Sequence, residues 1–225
     1  MSRRVRLSLA FATVNLLSAQ TKSSTSDDLI VPGVRVGPVS RTSTERSLRE
    51  SLGRAAVKED VEVGEGMTEP GLVIYKSDPT RRLDVIWNDE IPPHPATIFI
   101  CRDAPDGPCR WHTLSGIGMG TTLKELESRN GKPFEMVGWG TDVGGNVTSF
   151  EGGKLERELR NFGVLGLTLV PRTNKEGDYV PKLTVEELDA VEGEKFILSS
   201  HPSLQKLNPY AAGMSLEFPR DVREK

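Results

Sequence analysis

Residues 43 to 54 read Ser-Thr-Glu-Arg-Ser-Leu-Arg-Glu-Ser-Leu-Gly-Arg, and residues 121 to 132 read Thr-Thr-Leu-Lys-Glu-Leu-Glu-Ser-Arg-Asn-Gly-Lys. The two stretches align without a gap at an offset of 78 residues, with identities at Thr44/Thr122, Leu48/Leu126 and Gly53/Gly131. Each identity has a physical job. The threonine caps a helix N-terminus, the leucine faces a core, and the glycine takes the left-handed conformation that ends a helix. The pattern predicts two short helices of about two turns each. The second has a capping box, Thr122 with Glu125; in the first the analogous pair is Thr42 with Glu45, shifted by two positions. The alternative to a repeat is two unrelated capped helices.

Strand patterns follow both stretches. After the first come Gly71-Leu-Val-Ile-Tyr75, a turn at Asp78-Pro79, and Leu83-Asp-Val-Ile-Trp87, in which Leu83, Val85 and Trp87 alternate toward one face. After the second come Phe134 to Trp139, a turn at Gly144-Gly145, Val147 to Phe150, a turn at Gly152-Gly153, and a chain that resumes at Leu155. Between the two units, Ala96 to Cys101 reads as a further strand. The shared order is a helix and then antiparallel strands.

Val36-Gly37 before Ser43-Thr44, and Gly118-Met119-Gly120-Thr121-Thr122, are short glycine-flanked entries to a capped helix that ends in Leu-Gly or Asn-Gly. In this respect residues 33 to about 155 resemble the tandem-repeat fold of β-lactamase inhibitor proteins and of the outer-membrane assembly lipoprotein BamE. The resemblance implies helices packed on an antiparallel sheet. It carries over neither β-lactamase inhibition nor outer-membrane assembly, because fold alone does not transfer function. The cysteines here lie between the units instead of stapling each one, and no lipidated cysteine is present. As a whole the chain also looks like secreted bacterial proteins of unassigned function, notably in Gly138-Trp-Gly-Thr-Asp142 and Leu204-Gln-Lys-Leu-Asn-Pro209.

In the C-terminal third, Val164 to Val170 reads as a strand and Thr184-Val-Glu-Glu187 as a capping box opening a short helix. Lys195 to Leu198 is a short strand, Pro202 sits early in another helix that Asn208-Pro209 stops, and Ala212 to Phe218 is a final strand. The fold class expected is α+β: two units of a short helix plus an antiparallel hairpin, and a C-terminal α+β extension on a common sheet. The organisation expected is a signal peptide over residues 1 to 19, a mobile leader over 20 to 32, a first unit with the cysteine loop over 33 to 110, a second unit over 111 to 160, and an extension over 161 to 225 packed on the same domain.

Arg3, Arg4 and Arg6 form a basic region ahead of the apolar stretch Leu7 to Leu17, the layout of a secretory signal. The stretch falls short of the roughly 20 apolar residues that a bilayer core requires. Leu17-Ser18-Ala19 opens like a bacterial lipobox, but Gln20 stands where the lipidated cysteine belongs. Cleavage after Ala19 is the expected outcome, and an ordinary buried first element is the alternative. The full chain has 29 basic and 32 acidic residues, a net charge of -3; losing residues 1 to 19 leaves 26 basic against 32 acidic. No Lys/Arg cluster lies beyond the extreme N-terminus, which argues against nucleic-acid binding.

Export places the only two cysteines, Cys101 and Cys109, under oxidising conditions, and Pro105-Asp-Gly-Pro108 can turn the chain between them. A disulfide is expected, with free thiols as the alternative; a zinc site with His94 or His112 lacks standard ligand spacing. The three histidines, His94, His112 and His201, sit in unrelated contexts. No G-x-S-x-G elbow, P-loop or dinucleotide fingerprint occurs, so no catalytic residue, cofactor or metal is assigned. Asn146-Val-Thr148 fits a glycosylation acceptor only if the source is eukaryotic.

The most site-like feature is Trp139 with Asp142, where Gly138, Gly140, Gly144 and Gly145 allow close backbone approach and the indole offers a stacking face. The alternative is a hairpin whose tryptophan is core. Two functions follow: a non-enzymatic extracytoplasmic binding or interaction module, using a sheet face or the Trp139 loop on a protein or envelope component; or a secreted hydrolase that groups His112 or His201 with Asp142. Grouping or dispersal of those side chains discriminates them.

Overall fold

The computed structural model describes residues 27–103, 107–160 and 164–219. The expected signal and most of the leader lie outside them, as do residues 104 to 106 of the cysteine loop. The leader expected as far as residue 32 is corrected where it is described: Leu29–Val31 is a strand, β1, and Ile30 is buried. It turns back into β2 (Arg35–Val36) and β3 (Val39–Ser40). Asp28 just ahead of β1 is anchored by Arg81 at 2.9 Å and Arg110 at 2.6 Å. The Arg81 guanidinium lies 4.5 Å above the Tyr75 ring, so the start of the chain is tied to later turns by charge and aromatic contact.

The first helix, α1 (Glu45–Leu52), starts at Thr44 as expected and buries Leu48. Its capping box is Thr44 with Ser47, not Thr42 with Glu45: the Ser47 N–H donates to Thr44 Oγ1 at 3.1 Å, and the Thr44 N–H donates to Ser47 Oγ at 2.9 Å. A serine hydroxyl at the third helical position reaches back as a glutamate would. Gly53 ends the helix at φ 55° and ψ -122°, outside the left-handed helical region expected, and a 3-10 turn over Gly53–Ala55 follows. Next come β4 (Ala56–Gly64), β5 (Met67–Ile74), β6 (Leu83–Trp87) and β7 (Pro95–Ile100), an antiparallel meander. Cys101 ends it, with its Cα 6.0 Å from that of Cys109, a disulfide pair.

After β8 (His112–Thr113) comes α2 (Leu123–Asn130), which carries the expected box, Thr122 with Glu125, the expected left-handed Gly131 at φ 80°, and a buried Leu126. The strands β9 (Glu135–Val137) and β10 (Val147–Ser149) follow as a hairpin. The chain resumes at Leu155 inside a helix, α3 (Lys154–Arg160), whose Leu155 and Leu159 are one turn apart and buried. The last third runs β11 (Val164–Val170), α4 (Val185–Asp189), β12 (Phe196–Leu198), α5 (Pro202–Leu207) and β13 (Tyr210–Glu217), close to the elements read from the sequence.

The class is α+β. The extension joins the first unit as expected, because β13 pairs with β7 and β11 pairs with β13, giving a six-stranded sheet in the order β11-β13-β7-β6-β5-β4. A single common sheet does not form: the second unit's β9 and β10 make a three-stranded sheet with β12, and β8 joins β1 to β3 in a third. Helix residues Leu48, Leu126, Leu155, Leu159, Leu204 and Leu207 share one core with the inward positions of the six-stranded sheet, such as Leu72, Val85, Ile98 and Leu167. Trp87 is half-buried against that core. The other face of the sheet carries a second, small cluster of Val61, Val73 and Ile86 with Val63 and Phe99, to which no helix contributes.

Candidate functional site

Trp139 leaves β9 with its backbone held on both sides, its N–H donating to Val191 O at 2.9 Å and its carbonyl accepting from Gly193 N at 2.6 Å. The indole N–H donates to Leu169 O at 2.8 Å, the Tyr179 ring lies 6.0 Å away, and only 5% of the residue is exposed. Gly145, at φ 82°, is there to let the turn meet β11: a Cβ on it would sit 2.1 Å from Leu169 O and 3.0 Å from the indole nitrogen. Gly138, Gly144 and Gly145 therefore serve close backbone packing, while Gly140 at φ 88° has open space around it, and the expected stacking face is turned inward. Burial removes Trp139 from the candidate surface. Asp142 is exposed in the turn, without a hydrogen bond or ion pair to the described residues, whereas the indole is buried. The hydroxyl of Tyr179, whose ring packs on Trp139, is held above its ordinary pKa by burial and further by the carboxylate of Glu192.

The histidines do not group with Asp142. His94 Nδ1 lies 3.2 Å from Ser43 O, His112 Nδ1 lies 2.8 Å from Arg110 O, and His201 Nδ1 accepts the Ser203 N–H at 3.2 Å as the cap of α5. Each ring is engaged by a backbone group, local for His112 and His201 and 51 positions away for His94. Among the described residues no set of three His, Cys, Asp or Glu side chains is arranged around a common metal position, and no helix is long and apolar enough to cross a membrane.

The surface with the shape of a site is the outer face of the six-stranded sheet. Strand alternation sends Ile98, Ile100, Met214, Leu216, Leu165 and Leu167 inward, and therefore Phe99, Ser215, Gly213, Gly166 and Thr168 outward. The registers align these in rows: Val73, Asp84, Phe99, Ser215 and Gly166 lie side by side across five strands. Gly213 leaves the floor low, and Gly166 lies beside Ser215 in the next strand. A Cβ at Gly166 would sit 2.7 Å from Ser215 Oγ, and one at Gly213 would sit 3.1 Å from Thr168 Cβ. The result is a hollow of about 200 Å³ lined by Phe99, Arg102, Thr168, Gly213 and Ser215. The Arg102 guanidinium stacks over the Phe99 ring at 4.3 Å and donates to Glu62 O, which fixes it at the rim.

Beside the hollow, Asp84 is 2% exposed and accepts from Arg82 Nε at 2.8 Å; Arg82 also pairs with Asp103. Burial pushes the Asp84 carboxyl up, and the Arg82 hydrogen bond partly offsets this. The face therefore offers an aromatic ring, a stacked guanidinium and two hydroxyls, beside an apolar strip of Val61, Val73 and Ile86 that is itself buried. That set suits recognition of a polypeptide surface, since arginine and aromatic side chains dominate interface energetics. It has no activated nucleophile with a base in reach, the minimum for acyl transfer. Sequence reading missed these residues because the hollow is a product of strand order: Phe99 and Ser215 are 116 positions apart and become neighbours only when β13 pairs with β7. No family model, curated protein or solved structure matches the chain.

Proposed function

We propose that the chain is an exported, non-enzymatic interaction module that binds a protein component of the cell envelope across the outer face of its six-stranded sheet. The observation that carries the reading is the helix-free face itself, where Phe99 and Arg102 stand at the rim of a hollow that Gly213 helps to line. Rigid sheet residues lose little freedom on binding, and a stacked arginine is already oriented. Export is supported by the basic and apolar layout of residues 3 to 17 and by the disulfide pair Cys101 and Cys109. A tandem-repeat origin belongs to the same proposal: Thr44/Thr122 and Leu48/Leu126 play matching parts in the two helices, although the strands that follow them lie in different sheets.

The test fills the hollow without touching the core. Ser215→Trp and Thr168→Arg variants should keep the melting temperature of the parent and lose capture of the envelope component retained by the wild type. Unchanged capture by both variants removes the sheet face from the proposal. Intact mass of exported protein should show a chain beginning at Gln20, whereas a full-length cytosolic species alone refutes export.

A further inference from the structure

The opposite end of the same sheet carries a second and different surface. Strand β4 is the sheet edge, and beside it α1 forms the far wall of an open groove of about 1090 Å³ lined by Glu45, Arg46, Arg49, Glu50, Arg54 and Lys58. Four cations face two acids in a chain whose net charge is -3. Glu45 is shared by Arg49 at 3.3 Å and Lys58 at 3.4 Å, and Glu50 is taken by Arg46 at 2.8 Å. Arg54 is exposed and has no hydrogen bond or ion pair among the described residues. The groove therefore keeps positive charge that its own carboxylates do not neutralise.

The backbone of the edge supplies the second observation. Tyr75 N–H donates to Ala55 O at 2.8 Å, and the register then runs Ala56 with Ile74, Lys58 with Leu72 and Asp60 with Pro70. Hydrogen-bonded and non-bonded pairs alternate along an antiparallel ladder, so residues 55, 57 and 59 bond toward β5 and Lys58 and Asp60 turn their N–H and C=O groups away from it. Pro70 fits that phase, because its missing N–H falls opposite Asp60 in a pair that needs none. The Ala56 N–H is spent on Gly53 O, but its carbonyl, and both groups of Lys58 and Asp60, face outward. An edge strand with a helix alongside is the arrangement in which an extended peptide adds as one more strand.

We propose that the groove between α1 and the edge of β4 is a second binding site, which takes an extended acidic polypeptide segment by strand addition. The incoming backbone pairs with Lys58 and Asp60, while alternate carboxylates on its α1 side meet Arg46, Arg49, Arg54 and Lys58. Asp60 is itself acidic and exposed, so the acidic residues of the segment sit toward the Arg54 end. The charges on β4 itself, Lys58 with Glu59, Asp60 and Glu62, guard the edge against copies of itself, and the attraction for an acidic segment comes from the arginines of α1 and Arg54 beside it. This site is separate from the hollow, which lies across β7, β13 and β11.

The probe is a labelled synthetic peptide of alternating glutamate and valine, titrated into the mature protein. The wild type should bind it with an affinity that falls as salt rises, and the double variant Arg54→Glu, Lys58→Glu should bind it about tenfold or more weakly. Hydrogen exchange on the unaltered protein gives an independent readout: the Lys58 and Asp60 amides should slow when the peptide is added. A peptide of the same charge with proline at alternate positions should fail, because it cannot donate to the edge. Absence of binding, equal binding of the proline peptide or of polyphosphate, or unchanged exchange at Lys58 and Asp60 overturns the proposal.

Discussion

Replacing Trp139 separates a core role from a recognition role. The residue is 5% exposed, its indole N–H donates to Leu169 O at 2.8 Å, and Tyr179 closes over it at 6.0 Å. Trp139→Ala removes a large buried side chain between the Gly145 turn and β11 and leaves a cavity that backbone on both sides cannot collapse into, so the loss should be about 3 to 5 kcal/mol. Against a total stability of about 5 to 15 kcal/mol, that is about a fifth of the fold or more. The melting temperature should drop by about 10 °C. Trp139→Phe keeps most of the volume but deprives the Leu169 carbonyl of its donor, and should cost about 1 to 3 kcal/mol. Urea denaturation of the three proteins, followed by tryptophan-independent circular dichroism, measures both differences. An alanine variant within about 1 kcal/mol of the parent would refute the packing account and return Trp139 to the surface.

Other outcomes follow from single contacts. Reduction of Cys101–Cys109, or the double serine variant, should lower stability by about 2 to 3 kcal/mol in denaturant, the effect of opening a short loop, whereas two free thiols titrated in unreduced exported protein would contradict the pairing. Gly37→Ala should misfold or strongly destabilise the turn between β2 and β3, because Gly37 has φ 50° and a Cβ there would lie 2.4 Å from the Trp111 ring; a variant with the parent's melting temperature would show that the ring yields. The Glu125 carboxyl is held below its ordinary value by the Thr122 backbone N–H and then by the Thr122 hydroxyl. A depressed carboxylate stabilises the fold above its unfolded pKa and loses that contribution as pH falls through the folded value. Stability measured below about pH 4.3 should therefore fall more steeply in the wild type than in Glu125→Gln, and parallel acid limbs would remove the capping box from the account.

The parts of the fold that could be read from sequence are those whose chemistry is local. Thr44, Thr122 and Thr184 each start a helix because a hydroxyl satisfies an N–H a turn away, and that pattern needs no tertiary contact. The pairing of Cys101 with Cys109 was legible for the same reason, being the one pairing two cysteines allow. Strand β4 was not legible, since Lys58-Glu-Asp-Val-Glu62 has no apolar alternation; an edge strand solvated on one side keeps its charges. The helix over Lys154–Arg160 had a signal in Leu155 and Leu159, but the glycine pair before it reads equally as a hairpin turn. Trp139 beside four glycines has the composition of a recognition loop, and only the approach of Leu169, 30 positions after Trp139, shows that Gly145 makes room for backbone. The sheet-face hollow was out of reach altogether, because it depends on which strands become neighbours.

Site-specific photo-crosslinking in the producing cell tests the interaction reading most directly. A photoreactive side chain at Ser215, in the hollow, should form a discrete adduct with one envelope protein, and the same group at exposed Lys175, in the turn that follows β11, should not. An adduct at Ser215 that disappears in the Phe99→Ala background would place the partner on this face. No adduct at Ser215, or an identical adduct at Lys175, would contradict the claim that the open face of the six-stranded sheet is where this protein binds.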